Sequence, residues 1–209
     1  MRFRPVSLIV ALAAVSACGA PSNTYVEDPA TGVQFAVPAG WQVVDLAQRG
    51  TTPDNPVAVP DPLVLQKAFA PGDVDLPDPW GPFVDFPIGY AMVQQLTPEA
   101  QDIMSIRRLR NLVIQIDGLL EDRPDDVRII DQELLSTEGF RGEHLVYSMR
   151  IVPEDPQSPP VTVTLDQTAY LDPFTTNAYV FLIGCTADCY VEHADTIRSI
   201  ASTWSVVPG

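Results

Sequence analysis

Cys185, Cys189 and His193 are the residues whose types and spacing could do chemistry. If their segment is helical they line one face at i, i+4 and i+8, and two thiolates with an imidazole suit Cu(I) or Zn. The same two cysteines suit a disulfide. They flank Thr186-Ala187-Asp188, where a strand pattern gives way to a helical one, and such a junction allows the Cα separation of about 4.4–6.8 Å that a bridge requires. The chain has three cysteines, and one belongs to an N-terminal export signal, which leaves an even pair outside the cytosol. A Cys185–Cys189 disulfide is therefore the expectation, with no resident metal. The alternative is a metal-handling protein that takes copper or zinc on these residues.

Other catalytic signatures are missing from the sequence. It contains no GxSxG, HExxH, GxGxxG, P-loop, CxxC or EF-hand spacing. The second histidine, His144, adjoins an alternating strand and reads as a surface residue at its start. The acidic pairs Glu121-Asp122 and Asp125-Asp126 surround a helix end, where solvation explains them. A hydrolase needs a nucleophile, a base and an orienting acid within mutual reach, and no such set is legible. The expectation is a protein that is not an enzyme and uses no cofactor.

The N-terminal segment decides the location. Residues 1–17 read as a signal peptide, with Arg2 and Arg4 as the basic region and Val6 to Ala17 as an apolar run. That run is too short to span a bilayer, which takes about 20 residues. It ends Val15-Ser16-Ala17-Cys18-Gly19, which resembles a bacterial lipobox and implies diacylglyceryl and palmitate attachment at Cys18. Two or three acyl chains, at about 0.8 kcal/mol per buried methylene, hold a protein stably on a membrane. Residues 18–23 would be the lipidated tether. Losing the signal removes two arginines and no acids, so the net charge moves from −15 to −17. Such a domain is repelled by nucleic acid and by anionic headgroups.

The remaining 24–209 are long enough for one globular domain with a sizeable core. Tyr25 to Val37 reads as a hairpin about Asp28-Pro29-Ala30-Thr31-Gly32, whose Pro and Gly favour a turn. Leu63 to Phe69, Gly89 to Gln95, Val127 to Leu134 and Gly142 to Val152 read as further strands. Val161 to Leu171 alternates apolar and polar residues, as a strand with one buried and one wetter face does. Ala178 to Ile183 is apolar on both faces and suits a covered strand. Thr97-Pro98-Glu99 is a helix start. Ile106, Leu109, Val113, Ile116 and Leu120 recur at helical spacing, so one helix is expected to run to about Leu120. A second stripe, Ala194, Ile197, Ala201 and Trp204, predicts a closing helix.

Two stretches stand out as possible contact surfaces. Pro71 to Pro87 carries Trp80, Phe83 and Phe86 among five prolines and four aspartates. The rings either pack over the core or form a binding lip; as a lip, they would lose little entropy on ordering. Arg107, Arg108 and Arg110 lie off the apolar helix stripe. They read as a solvated face or as a docking patch. If a partner exists, Trp80, Phe83 and Phe86 are expected to make the contact, with the three arginines secondary.

The early hairpin with Val37-Pro38-Ala39-Gly40-Trp41, the central helix, the antiparallel strands and the terminal Ile197-Arg198-Ser199-Ile200-Ala201-Ser202-Thr203-Trp204 form a set. Together they resemble the PsbP-like superfamily and, with the lipobox, its LpqN-type lipoprotein branch. The resemblance covers most of residues 24–206. It implies an α+β fold, an antiparallel β-sheet flanked by helices as an α/β/α sandwich, and a binding or scaffolding role without catalysis. The proline-rich stretches at 52–62 and 71–87 depart from it, and no family site motif is present to carry over. The combined expectation is a lipid-anchored protein on the extracytoplasmic face of the cell membrane that binds a protein or an envelope component.

Overall fold

Asp28 to Gly32 folds as the expected turn. The Thr31 amide and hydroxyl both donate to the Asp28 carboxylate, at 3.0 and 2.9 Å, and Gly32 takes a φ of +73°. This turn joins β1 (Asn23–Asp28) to β2 (Val33–Pro38). The computed structural model describes residues 22–46, 63–72, 74, 76, 84–153, 157 and 159–207. Within them lie β3 (Trp41–Asp45), β4 (Leu63–Pro71), β5 (Ile88–Gln95), β6 (Val127–Thr137), β7 (Phe140–Ile151), β8 (Val161–Leu171), β9 (Asn177–Thr186) and β10 (Ser205–Val206). The helices are α1 (Pro98–Ile103), α2 (Ile106–Arg110), α3 (Ile116–Asp122), α4 (Ala187–Glu192) and α5 (Ala194–Ala201). None of these helices is long and apolar enough to cross a membrane.

The fold is α+β. Seven antiparallel strands run in the order β3-β4-β5-β9-β8-β7-β6, and β10 joins β2 and β1 in a second, three-stranded sheet. β9 sits at the centre of the large sheet and is buried from Ala178 to Cys185, as its two-sided apolar sequence requires. On one face lie α1, α2 and α3, whose Leu109 and Ile116 are buried in the clusters formed with Leu145, Leu165, Leu171 and Val180. The other face carries α5 and the small sheet. There Phe35, Phe69, Phe181 and Trp204 make a continuous aromatic core, with Phe69–Phe181 centroids 5.4 Å apart and Phe181–Trp204 centroids 5.1 Å apart. Each such ring contributes about 1.5–3 kcal/mol by leaving water.

Four sequence expectations are corrected. The helix expected over 97–120 is three short helices. Thr97 does cap the first, accepting from Ala100 N–H at 3.3 Å, but Met104 is extended and the Ser105 hydroxyl starts a new helix by accepting from Arg108 N–H at 3.2 Å. A serine that bonds a nearby backbone amide competes with helix continuation. The apolar stripe still reaches the sheet, because Leu109 and Ile116 lie on separate helices that both pack down on it. The wetter face expected on β8 is also covered: Thr164, Asp166 and Thr168 are buried, because α4 lies over them and Tyr190 reaches Asp166. The closing helix stops at Ala201, and Trp204 follows it into the core without being helical. His144, expected as a surface residue at a strand start, lies within β7 and is half-buried.

Candidate functional site

One end of the large sheet brings together Phe86, Cys185, Cys189 and His193 from the residues singled out by sequence. The Ala39 amide donates to the Ser22 carbonyl at 3.0 Å, fixing the point where the chain emerges from its N-terminal segment. Next to it, a Cβ on Gly72 would stand 2.2 Å from the Gly40 carbonyl oxygen. Only glycine allows that approach. Gln42 then donates to the carbonyls of Pro71, at 3.4 Å, and of Val74. These bonds fix the first root of the 71–87 stretch. The second root is fixed on the neighbouring strands: Thr186 donates its amide to the Val84 carbonyl (3.3 Å) and its hydroxyl to Asp85 (2.9 Å).

Cys185 and Cys189 lie beside that second root. Cys185 ends in β9, Cys189 sits in α4, their Cα atoms are 5.9 Å apart and their sulfurs are bonded. The disulfide expected from the count and spacing is therefore formed. His193 links α4 to α5, its amide donating to the Cys189 carbonyl at 2.9 Å. A metal would need the pair reduced first, since bonded sulfurs offer no thiolate. Against this junction lies a groove of about 760 Å³ walled by Asp85, Thr162, Thr186, Asp188, Cys189 and Glu192. Its charged lining residues are all acids. Phe86, next to Asp85 in the second root, is half-buried, whereas Cys18, Trp80 and Phe83 lie outside the described residues.

The arginines are elsewhere. Arg107 and Arg110 converge on Asp117, at 2.7 and 2.5 Å, and Arg107 also meets Glu121 at 3.3 Å. Arg110 in turn faces the buried Glu143 at 3.6 Å. Burial alone would push the Asp117 carboxyl up, but hydrogen bonds from Arg107, Asn111 and Arg110 outweigh it and hold the group below the usual range. Arg108 is exposed. Two of the three cations thus tie α2 to α3 and to β7. The register sets Glu143 opposite Ala169, while Thr186 stands opposite Val163. At about 3.3 Å per residue that separates the arginine cluster from the groove by roughly 20 Å along β8.

A third polar group was not legible in the sequence. His144 Nε2 lies 2.9 Å from Asp166 Oδ1, and the Tyr190 hydroxyl donates to Asp166 Oδ2 at 3.5 Å. The bond to Asp166 raises the His144 pKa; desolvation opposes it, and the nearby charges of Asp166, Asp131 and Glu133 reinforce it. Desolvation first, and then Asp166, pushes the Tyr190 hydroxyl well above its ordinary value. Because Tyr190 belongs to α4, this set braces the helix that walls the groove. Among the described residues the His144 ring bonds only to Asp166, so no nucleophile is seated on it. The one available signal was a histidine in a strand beside a strand bearing an aspartate. Which aspartate it meets depends on register, and register is set by pairing across the sheet.

No family profile matches the chain, and no curated protein sequence matches it. Solved structures do resemble it in fold. Cyanobacterial PsbP (CyanoP) from Synechocystis is 12% identical, with a TM-score of 0.48 over 94% of this chain and 99% of the other. LpqN of Mycobacterium tuberculosis, described as involved in cell envelope biogenesis, is 15% identical, with a TM-score of 0.45 over 89% of this chain and 91% of the other. The Ran-binding protein Mog1p of Saccharomyces cerevisiae is 11% identical, with a TM-score of 0.45 over 88% and 95%. The PsbP and LpqN likenesses are those expected from the sequence. At these identities and scores they bear on the path of the chain and carry no statement about what it binds.

Proposed function

We propose that the chain is a lipid-anchored, extracytoplasmic binding or scaffolding module, held to the membrane through Cys18, that contacts a protein or envelope component with the end of the sheet nearest its tether. The supporting observation is the convergence at that end. The chain's emergence at Ser22, both roots of the aromatic 71–87 stretch and the acidic groove of about 760 Å³ all meet there. Residues 18–21 add at most about 14 Å of reach, so this end stays near the bilayer surface and favours a partner presented at that height. Trp80, Phe83 and Phe86 supply the contact area, since aromatic side chains dominate interface energetics. Of the arginines, exposed Arg108 is the one placed for a secondary role in encounter; Arg107 and Arg110 already neutralise carboxylates. The chemistry-bearing side chains outside this end brace the fold, which favours binding over catalysis.

The test is affinity purification of the full lipidated chain from detergent-solubilised envelope, beside the Cys18→Ala variant. A stoichiometric partner recovered with the anchored form supports the reading. Turnover in a broad ester and glycoside screen, with no partner recovered, would replace it with an enzyme. The copper or zinc alternative is tested by metal analysis of oxidised and reduced protein; one equivalent bound only after reduction would favour it.

A further inference from the structure

The opposite end of the sheet presents two hairpin tips in contact, and they hold the only described non-glycine residues with left-handed backbones: Glu138 (φ 48°) and Thr175 (φ 59°). A β-branched residue there is a steric outlier, and such strain persists only where its surroundings over-determine it. They do so here. Asp172 is buried; it accepts from the Thr176 amide (2.7 Å), the Thr176 hydroxyl and the Asn177 side chain (3.1 Å). Arg141, from the neighbouring hairpin, donates to the Thr175 hydroxyl at 2.9 Å. Gly139, at φ +86°, packs so closely that a Cβ would sit 3.1 Å from the Pro173 ring. The consequence of this bracing is Phe174, 81% exposed.

Single exposed apolar residues are ordinary. One carried on a strained, braced turn is not, because the backbone that presents it loses little further conformational entropy when something binds. We propose that this tip is a second contact surface, with Phe174 entering an apolar pocket, neutral or basic at its rim, on a protein partner. The proposal goes beyond the tether-proximal contact and rests only on the reading of the domain as a binding module. Phe has no polar group for a wet surface, unlike Tyr or Trp, which disfavours a sugar face. The tip lies roughly 30 Å along the strands from the tether end, beyond the reach of residues 18–21. A second copy is disfavoured by repulsion between two chains of strongly negative charge. The same charge favours a basic rim.

The experiment places the photocrosslinker p-benzoylphenylalanine at position 174 of the full lipidated chain in intact cells, with Ile130, 53% exposed within β6 and apart from both contact surfaces, as the control position. The expected result is one discrete adduct from position 174 and none from position 130. The crosslinked protein, purified and titrated against the chain, should bind Phe174→Ala roughly tenfold or more weakly, while the melting temperature stays unchanged. Thr175→Gly, which loosens the tip and keeps the ring, should weaken binding by a smaller factor. No adduct, an adduct of two copies of the chain, a lipid adduct, or equal affinity for Phe174→Ala would each overturn the proposal. If Trp80→Ala abolishes partner recovery while position 174 stays silent, the tip fails alone. If position 174 crosslinks while Trp80→Ala changes nothing, the tether-proximal contact fails alone.

Discussion

The two ends of the large sheet are secured by different physics. At the end that carries Ser22 the chain is stitched across strands: a disulfide joins β9 to α4, Thr186 ties down Val84 and Asp85, and the lack of a Cβ lets Gly72 press on Gly40. These devices fix the roots of a long stretch. At the distal end no covalent staple is present among the described residues; short turns are locked by one buried aspartate and by left-handed backbone at Thr175 and Glu138. Those devices fix the turn backbone that carries Phe174. The comparison teaches that the first end anchors the two roots of a segment and the second fixes the backbone of a turn.

The comparison can be broken at several levels. The largest effect expected is on location: Cys18→Ala should move the protein wholly out of the membrane fraction or leave it unprocessed. Partitioning like the wild type, with a normally cleaved N-terminus, would remove the lipid anchor from the account. Next is the staple. Replacing Cys185 and Cys189 together by alanine should cost about 2 kcal/mol in urea unfolding, the low end for so short a loop. Amide exchange should then rise at 84–87 and 185–193 and stay level at 138–141 and 172–176. Loosening of both ends alike would mean that they are not separately secured.

Smaller effects test the braces between the ends. Asp117→Ala leaves Arg107 with Glu121 alone and Arg110 with Glu143 alone and should cost roughly 1.5 kcal/mol, read by urea titration; no change would mean that Asp117 does not brace α2 against α3. The His144–Asp166 bond predicts a pH dependence. A histidine whose folded pKa is raised stabilises the fold fully below its unfolded value near 6.5 and loses that contribution as pH rises through the folded pKa. Wild-type stability should therefore decline more steeply than that of His144→Gln between pH 6.5 and the mildly alkaline range. Parallel curves would mean that the histidine does not titrate against Asp166.

The sequence carried the strands well because their signals are local. The hairpin at Asp28–Gly32 and the two-sided apolar run of β9 needed only turn chemistry and period. The disulfide was legible from a count and a spacing. The broken helix was not, because Ile106, Leu109, Val113, Ile116 and Leu120 keep helical spacing across the break between α2 and α3. Neither the His144–Asp166–Tyr190 set nor the strained tip at Phe174 could be read. Both depend on which strands become neighbours, and β7, β8 and α4 meet only after the sheet has formed. The convergence of Ser22, Gly72 and Thr186 is likewise a product of strand order.

The most direct measurement concerns Trp80, the ring on which the proposed contact most depends. Thermal unfolding of Trp80→Ala should match the wild type, and the partner recovered from solubilised envelope with the wild type should be lost from the variant. A loss of several kcal/mol in folding stability, of the order that truncating a buried aromatic costs, would place Trp80 in the core and contradict the account.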